Sequence, residues 1–394
     1  MNKNVKNATV REIMLDFARL TGLEPASDRT RRYLWTDAFA VCNYLELFRR
    51  TSDKAYLDLA LSLVDQVHHT LGRHRDDDPR RGWISGLDSL EGEQHPTIRG
   101  LRIGKRLNER GLGEPFNERL EWDQDGQYYH YLTKWMHALS RVSRITGDPT
   151  YLRWAIELAK AVHDRFTYSP GPGITGQRRM YWKMSIDLTR PLVPSMGQHD
   201  PLDGFVTYSE LQAAATNVFR EPVLPDLRSE IADMAEICHG LGENLATDDP
   251  LGIGGLLFDA SRISQLVIMD GFDYESLLGT VVNSALLGIE AFTRGDLLAY
   301  PAEYRLAFRE LGLSIGLSGV ENMKKGMAEN PDLFRLESLG RQVEALMDFV
   351  PLKKTIEQFW MAGKSRETGT WKEHREINMV MLATSLAPGE FLMI

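Results

Sequence analysis

The chain runs to 394 residues with a formal net charge of -9, 43% hydrophobic and 26% charged residues. That composition suits a globular protein with a large core, and the acidic balance argues against nucleic acid as the main partner, since polyanion binding needs clustered positive charge. The two cysteines, Cys42 and Cys238, sit in apolar helical patterns, which speaks against a disulfide framework or a thiolate zinc centre and for buried thiols.

The opening MNKNVKNATVREIMLDF lacks the apolar core and cleavage site of a signal peptide. No apolar run approaches the roughly 20 residues that span a bilayer, so a cytoplasmic protein without a membrane partner is expected. The first predicted helix, Thr9 to Leu20, is amphipathic. A more apolar helix follows from Tyr33 to Phe48 and opens on YLWTDAF. It stops at Thr51-Ser52-Asp53, and an amphipathic helix restarts over Lys54 to Thr70 with Asp53 as N-cap.

After a long segment from His74 to Gln127, the same hairpin returns about 95 residues on. Its first helix covers Tyr128 to Ile145, the turn is Thr146-Gly147-Asp148, and the second helix covers Thr150 to Phe166, with Asp148 as cap and Pro149 at the first helical position. A second long segment, Thr167 to Tyr208, precedes an inner helix over Ser209 to Phe219 and an outer one over Leu227 to Gly242. Then come Ile253 to Met269, Tyr274 to Phe292, Ala302 to Leu317, a segment from Leu336 to Ala362 broken at Pro351, and Thr370 to Leu386.

Helices apolar most of the way round belong inside and amphipathic ones outside. The alternation, six of each kind, describes an all-α (α/α)6 toroid, one domain over residues 1–394 with long rim loops; strand-like alternation is scarce. The inner-to-outer turns are mostly tight (TSDK, TGDP, DGFD), whereas several returns are long, as functional loops tend to be. In such a ring the inner helices all start at one rim. The stretches Tyr33 to Phe39, Trp122 to Trp135, Met196 to Phe205 and Thr370 to Asn378 are therefore expected to converge there, where helix N-termini favour carboxylates and anionic ligands.

The segment WTDAFAVCNYLELFRRTSDKAYLDLA resembles the first hairpin of six-hairpin glycosidases, nearest in pattern to the unsaturated glucuronyl hydrolase type, and RITGDPTYLRWAIELAKAVHDRF is similar. The resemblance implies a carbohydrate pocket with acidic catalysis and an aspartate opening the second inner helix, for which Asp123 and Asp125 are the nearest equivalents. Thr-Gly-Asp turns occur across the superfamily, sugar 2-epimerases included, and bear on fold more than on reaction.

Asp123 and Asp125 flank Gln124 before a helix, so either can serve as cap while the other faces the pocket. Burial beside Trp122 or Tyr128 would raise a carboxyl into the range of a general acid, and Asp125 lies nearer the helix start. GQHDPLDGF reads as a turn, given Pro201 and Gly204, or as a sugar contact supplied by Gln198, His199 and Asp200; Asp200 and Asp203 alone do not define a calcium site. In WKEHREIN, Glu373 is a candidate partner carboxylate or a solvated charge, and His374 shares a face with Asn378. His130 and His374 are structural histidines or the acid and base of an epimerase.

Trp35, Trp83, Trp122, Tyr128, Trp182 and Trp371 are stacking platforms for sugar or core aromatics, and Asp37 is a sugar contact at the start of its helix. Arg178, Arg179 and Lys183 suit a uronate carboxylate or a solvated loop. The GIGG run lacks the remainder of a phosphate loop. The expectation is a glycoside hydrolase acting on an oligosaccharide, with one that carries an acidic sugar among the candidates. Asp125 or Asp123 would donate the proton and Asp200 or Glu373 would activate water, with no metal or organic cofactor required. A cofactor-free sugar epimerase and a non-catalytic sugar-binding module are the alternatives.

Overall fold

A computed structural model describes residues 3–26, 30–169, 178–217, 224–241, 245–270 and 274–394. Residues 170–177, 218–219, 242 and 271–273, which enter the loop, helix-end and turn expectations above, lie outside the described residues. The chain divides into two compact units, Ala18–Gly240 and Met1–Phe17 with Leu241–Ile394. Helix α1 (Lys3–Leu20) belongs to the second of these as far as Phe17.

The Ala18–Gly240 unit contains the two matching hairpins. Helices α2 (Leu34–Thr51) and α3 (Lys54–Leu71) form one, and the short α4 (Ser89–Gln94) and α5 (Glu118–Asp123) follow in the long segment. Helices α6 (Tyr129–Thr146) and α7 (Pro149–Phe166) form the other, before α8 (Asp200–Asn217) and α9 (Arg228–Leu241). Each hairpin turn works as its sequence implies. Asp53 accepts from the Ala55 amide at 3.1 Å and Asp148 from that of Thr150 at 2.9 Å. The preceding left-handed cap is Ser52 in one copy and Gly147 in the other.

Helices α2, α6 and α8 form the interior, with α3 and α7 packed outside. They run parallel, because contacts step along them in order: Tyr33 meets Tyr131, Thr133 meets Asp203, and further along His137 meets Glu210. Helix α8 starts nine residues before the expected Ser209. The DPLDGF run is its first turn and not a loop turn, since Pro201 lacks only an N–H that a helix start leaves unpaired.

The long segments carry two-residue and three-residue strands: β1 (Gln127–Tyr128), β2 (Thr167–Tyr168), β3 (Arg179–Met180), β4 (Lys183–Met184) and β5 (Pro191–Val193). β1, β4 and β5 form an antiparallel sheet, with Tyr128 opposite Lys183, and β2 pairs with β3. The first sheet ties the second long segment to the amino end of α6. That tie fixes what surrounds Tyr128.

In the other unit α10 (Pro250–Asp270), α11 (Glu275–Arg294) and α12 (Ala307–Glu329) are followed by α13 (Glu337–Met347) and α14 (Pro351–Met361), separated at the expected Pro351 break. Short α15 (Gly363–Arg366) and α16 (Gly369–Glu373) lead to α17 (Arg375–Leu386) and α18 (Gly389–Leu392). Helices α10 and α12 cross at backbone distance, for a Cβ built on Gly254 would lie 2.2 Å from the Gly312 carbonyl oxygen. Two stretches, Pro250–Met269 and Glu275–Arg294, are long and apolar enough by length and composition to cross a membrane, which corrects the expectation that no run approaches that length. The first is 72% buried within the fold, as a core helix is.

Candidate functional site

The site lies in the Ala18–Gly240 unit, where the amino ends of α2, α6 and α8 meet β4. From α2 come Tyr33 and Trp35, from α6 Tyr128, His130 and Tyr131, from α8 Asp200 and Asp203, and Trp182 stands beside β4. Pairing of β1 with β4 brings Trp182 within 5.4 Å of Tyr128, centroid to centroid, and 6.4 Å of His130, the latter two rings nearly parallel at 16°. Tyr128 stacks on His130 at 5.5 Å, and Tyr131 stands edge-on to His130 at 4.7 Å. Trp35 lies 6.2 Å from Tyr131. Trp122, 49% exposed, leans edge-on against Trp182 at 5.2 Å. These rings form the aromatic wall that the sequence places at a sugar site.

Asp200 is 6% exposed at the start of α8, and its Oδ1 lies 3.8 Å from His130 Nδ1. Among the described residues, both Asp200 Oδ2 and His130 Nδ1 are buried atoms without a hydrogen-bond partner. A buried polar group that the chain leaves unmet takes water or a ligand as its partner, and two of them side by side next to the aromatic wall make this the candidate site. Gly197 makes the room: a Cβ there would fall 2.5 Å from Asp200 Oδ2.

Electrostatics separate the two groups by function. Burial, reinforced by the Asp203 charge and opposed by Lys134, pushes the Asp200 carboxyl up to about 7. Burial, with Lys134 adding to it and Asp203 opposing, pulls His130 down to about 4. The ring retains 32% of its side-chain exposure, yet Nδ1 is enclosed, and the pair is neutral between these two values. Asp203 is placed by Lys134 Nζ at 2.7 Å and Thr133 Oγ1 at 2.5 Å, so the same ammonium orders one carboxylate and moderates the other.

Asp37, in the first turn of α2, accepts from the Tyr33 amide at 2.9 Å and from Arg32 Nη1 at 3.2 Å. Burial pushes it to about 6 against the pull of Arg32. It is 1% exposed and serves as a cap that aims Tyr33, where the sequence suggested a direct sugar contact.

Asp125 requires a correction. It is fully buried and bound to Arg102 Nη1 at 2.6 Å, to the Gly104 amide at 3.0 Å and to the Gly126 amide at 3.1 Å. These bonds pin the long segment after α3, and no oxygen is left for a substrate proton. Asp123 is exposed at the end of α5. Trp83 is corrected from platform to core: it is 3% exposed, packed on Gly92 and under the Arg73 guanidinium. Arg178 is engaged by Asp233 and Thr167, and Lys183 is buried on Glu121 and the Gln124 carbonyl, so neither offers its charge to a uronate. Arg179 is exposed on β3. Gln198 is exposed and His199 half-buried, the latter accepting the Asp203 amide at its carbonyl.

Trp371, Glu373 and His374 belong to the other unit. Trp371 stacks on Trp360 at 5.7 Å and borders a cleft of about 480 Å³ with Arg366, Lys372 and Arg375. Glu373 is exposed at the end of α16, and His374 packs edge-on to Phe308 between α16 and α17. Asn378, predicted to share the His374 face, is buried and bonds the Trp371 carbonyl and the Phe308 amide. Among the described residues no group of three or more histidine, cysteine or acidic side chains is arranged to hold a metal.

Sequence reasoning overlooked Tyr33, Tyr131 and Lys134. The signal was there in YYHYLTK, where residues three and four apart lie on one helix face.

No protein-family model and no curated protein matches the chain. Solved structures do. The chain is similar to a GH76 alpha-mannanase from Bacteroides thetaiotaomicron, with a TM-score of 0.55 and 10% identity over 100% of this chain and 97% of that one. It is likewise similar to the GH76A alpha-1,6-mannanase from Salegentibacter sp. HEL1_6, with a TM-score of 0.53 and 11% identity over 97% and 99%. A weaker likeness, to cellobiose 2-epimerase from Bacillus thermoamylovorans B4167, has a TM-score of 0.46 and 10% identity over 90% and 87%, and carries no argument. The mannanase likenesses show the fold class: all-α, an (α/α)6 toroid.

Proposed function

We propose that the chain is a carbohydrate-active enzyme, a glycoside hydrolase that cleaves a glycosidic bond in an oligosaccharide with Asp200 as proton donor. The observation that carries this reading is the buried, unsatisfied Asp200 carboxyl, still protonated near neutral pH and set beside an aromatic wall. Asp200 gives its proton to the glycosidic oxygen, the bond to the anomeric carbon breaks with its electrons passing to that oxygen, and water adds to the carbon, returning a proton to the Asp200 carboxylate. Neutral His130 holds a sugar hydroxyl beside the acid, and Tyr128, Trp182 and Trp122 supply faces for the apolar sides of the rings. An inactive variant of the Salegentibacter mannanase, two successive aspartates replaced, is in complex with alpha-1,6-mannotriose, which supports a sugar ligand here.

A second reading rests on the same pair. His130, neutral at physiological pH with Nδ1 uncommitted, is suited to take a proton beside the carbonyl of an open-chain sugar while Asp200 protonates the carbonyl oxygen, which is an epimerase reaction. Product analysis separates the two. Mannotriose, cellobiose and free mannose and glucose are incubated with wild type and Asp200→Asn, and products are resolved by chromatography. Hydrolysis yields new reducing ends that disappear with Asp200→Asn, and conversion of a free sugar into its isomer without cleavage establishes the second reading. Undiminished turnover by Asp200→Asn would overturn both, and sugar binding with no turnover by wild type would leave a binding module.

A further inference from the structure

Lys105 lies in the long segment between α3 and α6, where its carbonyl accepts Arg75 Nη1 at 2.6 Å and the adjacent Gly104 amide is held by Asp125. With its backbone fixed, the ammonium sits 5.3 Å from the centroid of the Tyr33 ring. The Tyr33 hydroxyl meets that of Tyr131 at 2.6 Å, and Tyr131 is edge-on to His130.

Two hydrogen-bonding capacities here are unspent. Other cations of the unit near the site have an acidic partner: Arg102 on Asp125, Arg110 and Lys183 on Glu121, Lys134 on Asp203. The Lys105 ammonium has neither an ion pair nor a hydrogen bond among the described residues and lies over the Tyr33 ring. Burial and the Lys183 charge push its pKa down against the pull of Asp123 and Asp125, neither of which is within ion-pair distance of it, so the cation is under-compensated. The second capacity is in the tyrosines. Burial keeps both hydroxyls protonated, and a pair joined by one hydrogen bond consumes one of its two hydrogens, so one O–H is left to donate.

A half-buried ammonium and a spare phenol hydrogen, both donors, call for an acceptor that brings negative charge. We propose that Lys105 and the Tyr33–Tyr131 hydroxyl pair anchor an anionic oxygen group, a carboxylate or a phosphate, on the sugar that occupies the Asp200 site. This rests on the sugar-site reading above. It also transfers to Lys105 the part the sequence suggested for Arg178 and Lys183, whose charges are already neutralised within the chain.

The test is calorimetric titration of the full chain, in a buffer free of phosphate, with glucuronate, glucose 6-phosphate and glucose. Wild type, Lys105→Met and Lys105→Arg are compared after thermal melts establish that each is folded. The expected result is that at least one anionic sugar binds roughly tenfold tighter than glucose, as a charge-assisted bond provides. That preference disappears in Lys105→Met, persists in Lys105→Arg and weakens with added salt. Which anion is preferred assigns carboxylate or phosphate. Absence of any anion preference in wild type, including absence of binding, overturns the proposal, as does a preference that survives Lys105→Met. Because binding is read directly, failure here leaves Asp200-dependent turnover untouched, and turnover by Asp200→Asn would sink the acid role without altering the titration.

Discussion

If Asp200 is an acid held protonated by its surroundings, the protein is less stable for it above neutral pH, and the amount follows from the site. The carboxyl moves from 3.8 in the reference state to about 7 in the fold, a difference of about three pH units. At roughly 1.4 kcal/mol per unit the linked free energy is on the order of 4 kcal/mol. The sign is that of a raised pKa: the contribution is whole below the unfolded value near 3.8 and drains away as pH climbs through the folded value near 7. Asp200→Asn has no proton to lose and keeps its stability over that interval. Denaturant unfolding of both chains at about pH 4, 5.5, 7 and 8.5 should therefore show the asparagine variant gaining on wild type by roughly 3 to 4 kcal/mol between the extremes. Most of that gain falls below about pH 7. A difference that stays constant with pH would refute the burial argument, and the proton-donor role would lose its physical basis with it.

Other substitutions probe the neighbours. Lys134→Met removes the charge that holds Asp200 down, so the alkaline limb of kcat/KM moves upward in pH, while loss of the ammonium from the buried Asp203 carboxylate costs roughly 3 kcal/mol in unfolding experiments. The His130 ring, followed by NMR, titrates with a midpoint about 4; a midpoint near the ordinary 6.5 would mean that the ring is not desolvated as the fold requires. Asp125→Ala strips the counter-charge from buried Arg102 and lowers stability by roughly 3 to 5 kcal/mol, measured by chemical denaturation, which a merely catalytic aspartate would not do. Gly254→Ala drives a methyl into the Gly312 carbonyl and costs at least about 1 to 3 kcal/mol by the same measurement.

The ring of hairpins was legible because its signals are local. Asp53 and Asp148 cap, Pro149 starts and Pro351 interrupts wherever they occur, so helices α2, α3, α6, α7 and the α13–α14 break emerge within a few residues of expectation. The start of α8 was misplaced because Asp-Pro and Asp-Gly carry the same composition in a turn and in the first turn of a helix. What separates the two is whether Asp203 finds Lys134 and Thr133 on α6, about 70 residues earlier, which no local window contains.

The exchange of roles between Asp125 and Asp200 has the same origin and a more general physical content. Both carboxyls are buried, and the sequence ranks Asp125 first because it lies nearer the start of its helix. Burial alone does not make an acid. Asp125 is enclosed together with a guanidinium and two amide donors, which spend its oxygens on holding a loop. Asp200 is enclosed next to a second carboxylate and a neutral imidazole, with one oxygen unmet. Desolvation therefore favours the proton on Asp200, where no bonded partner opposes it, and the nearest cation is already committed to Asp203. The same logic that removes Arg178 and Lys183 from ligand binding leaves Lys105 available for it: in a folded chain, function falls to the charged groups that the fold has not already used.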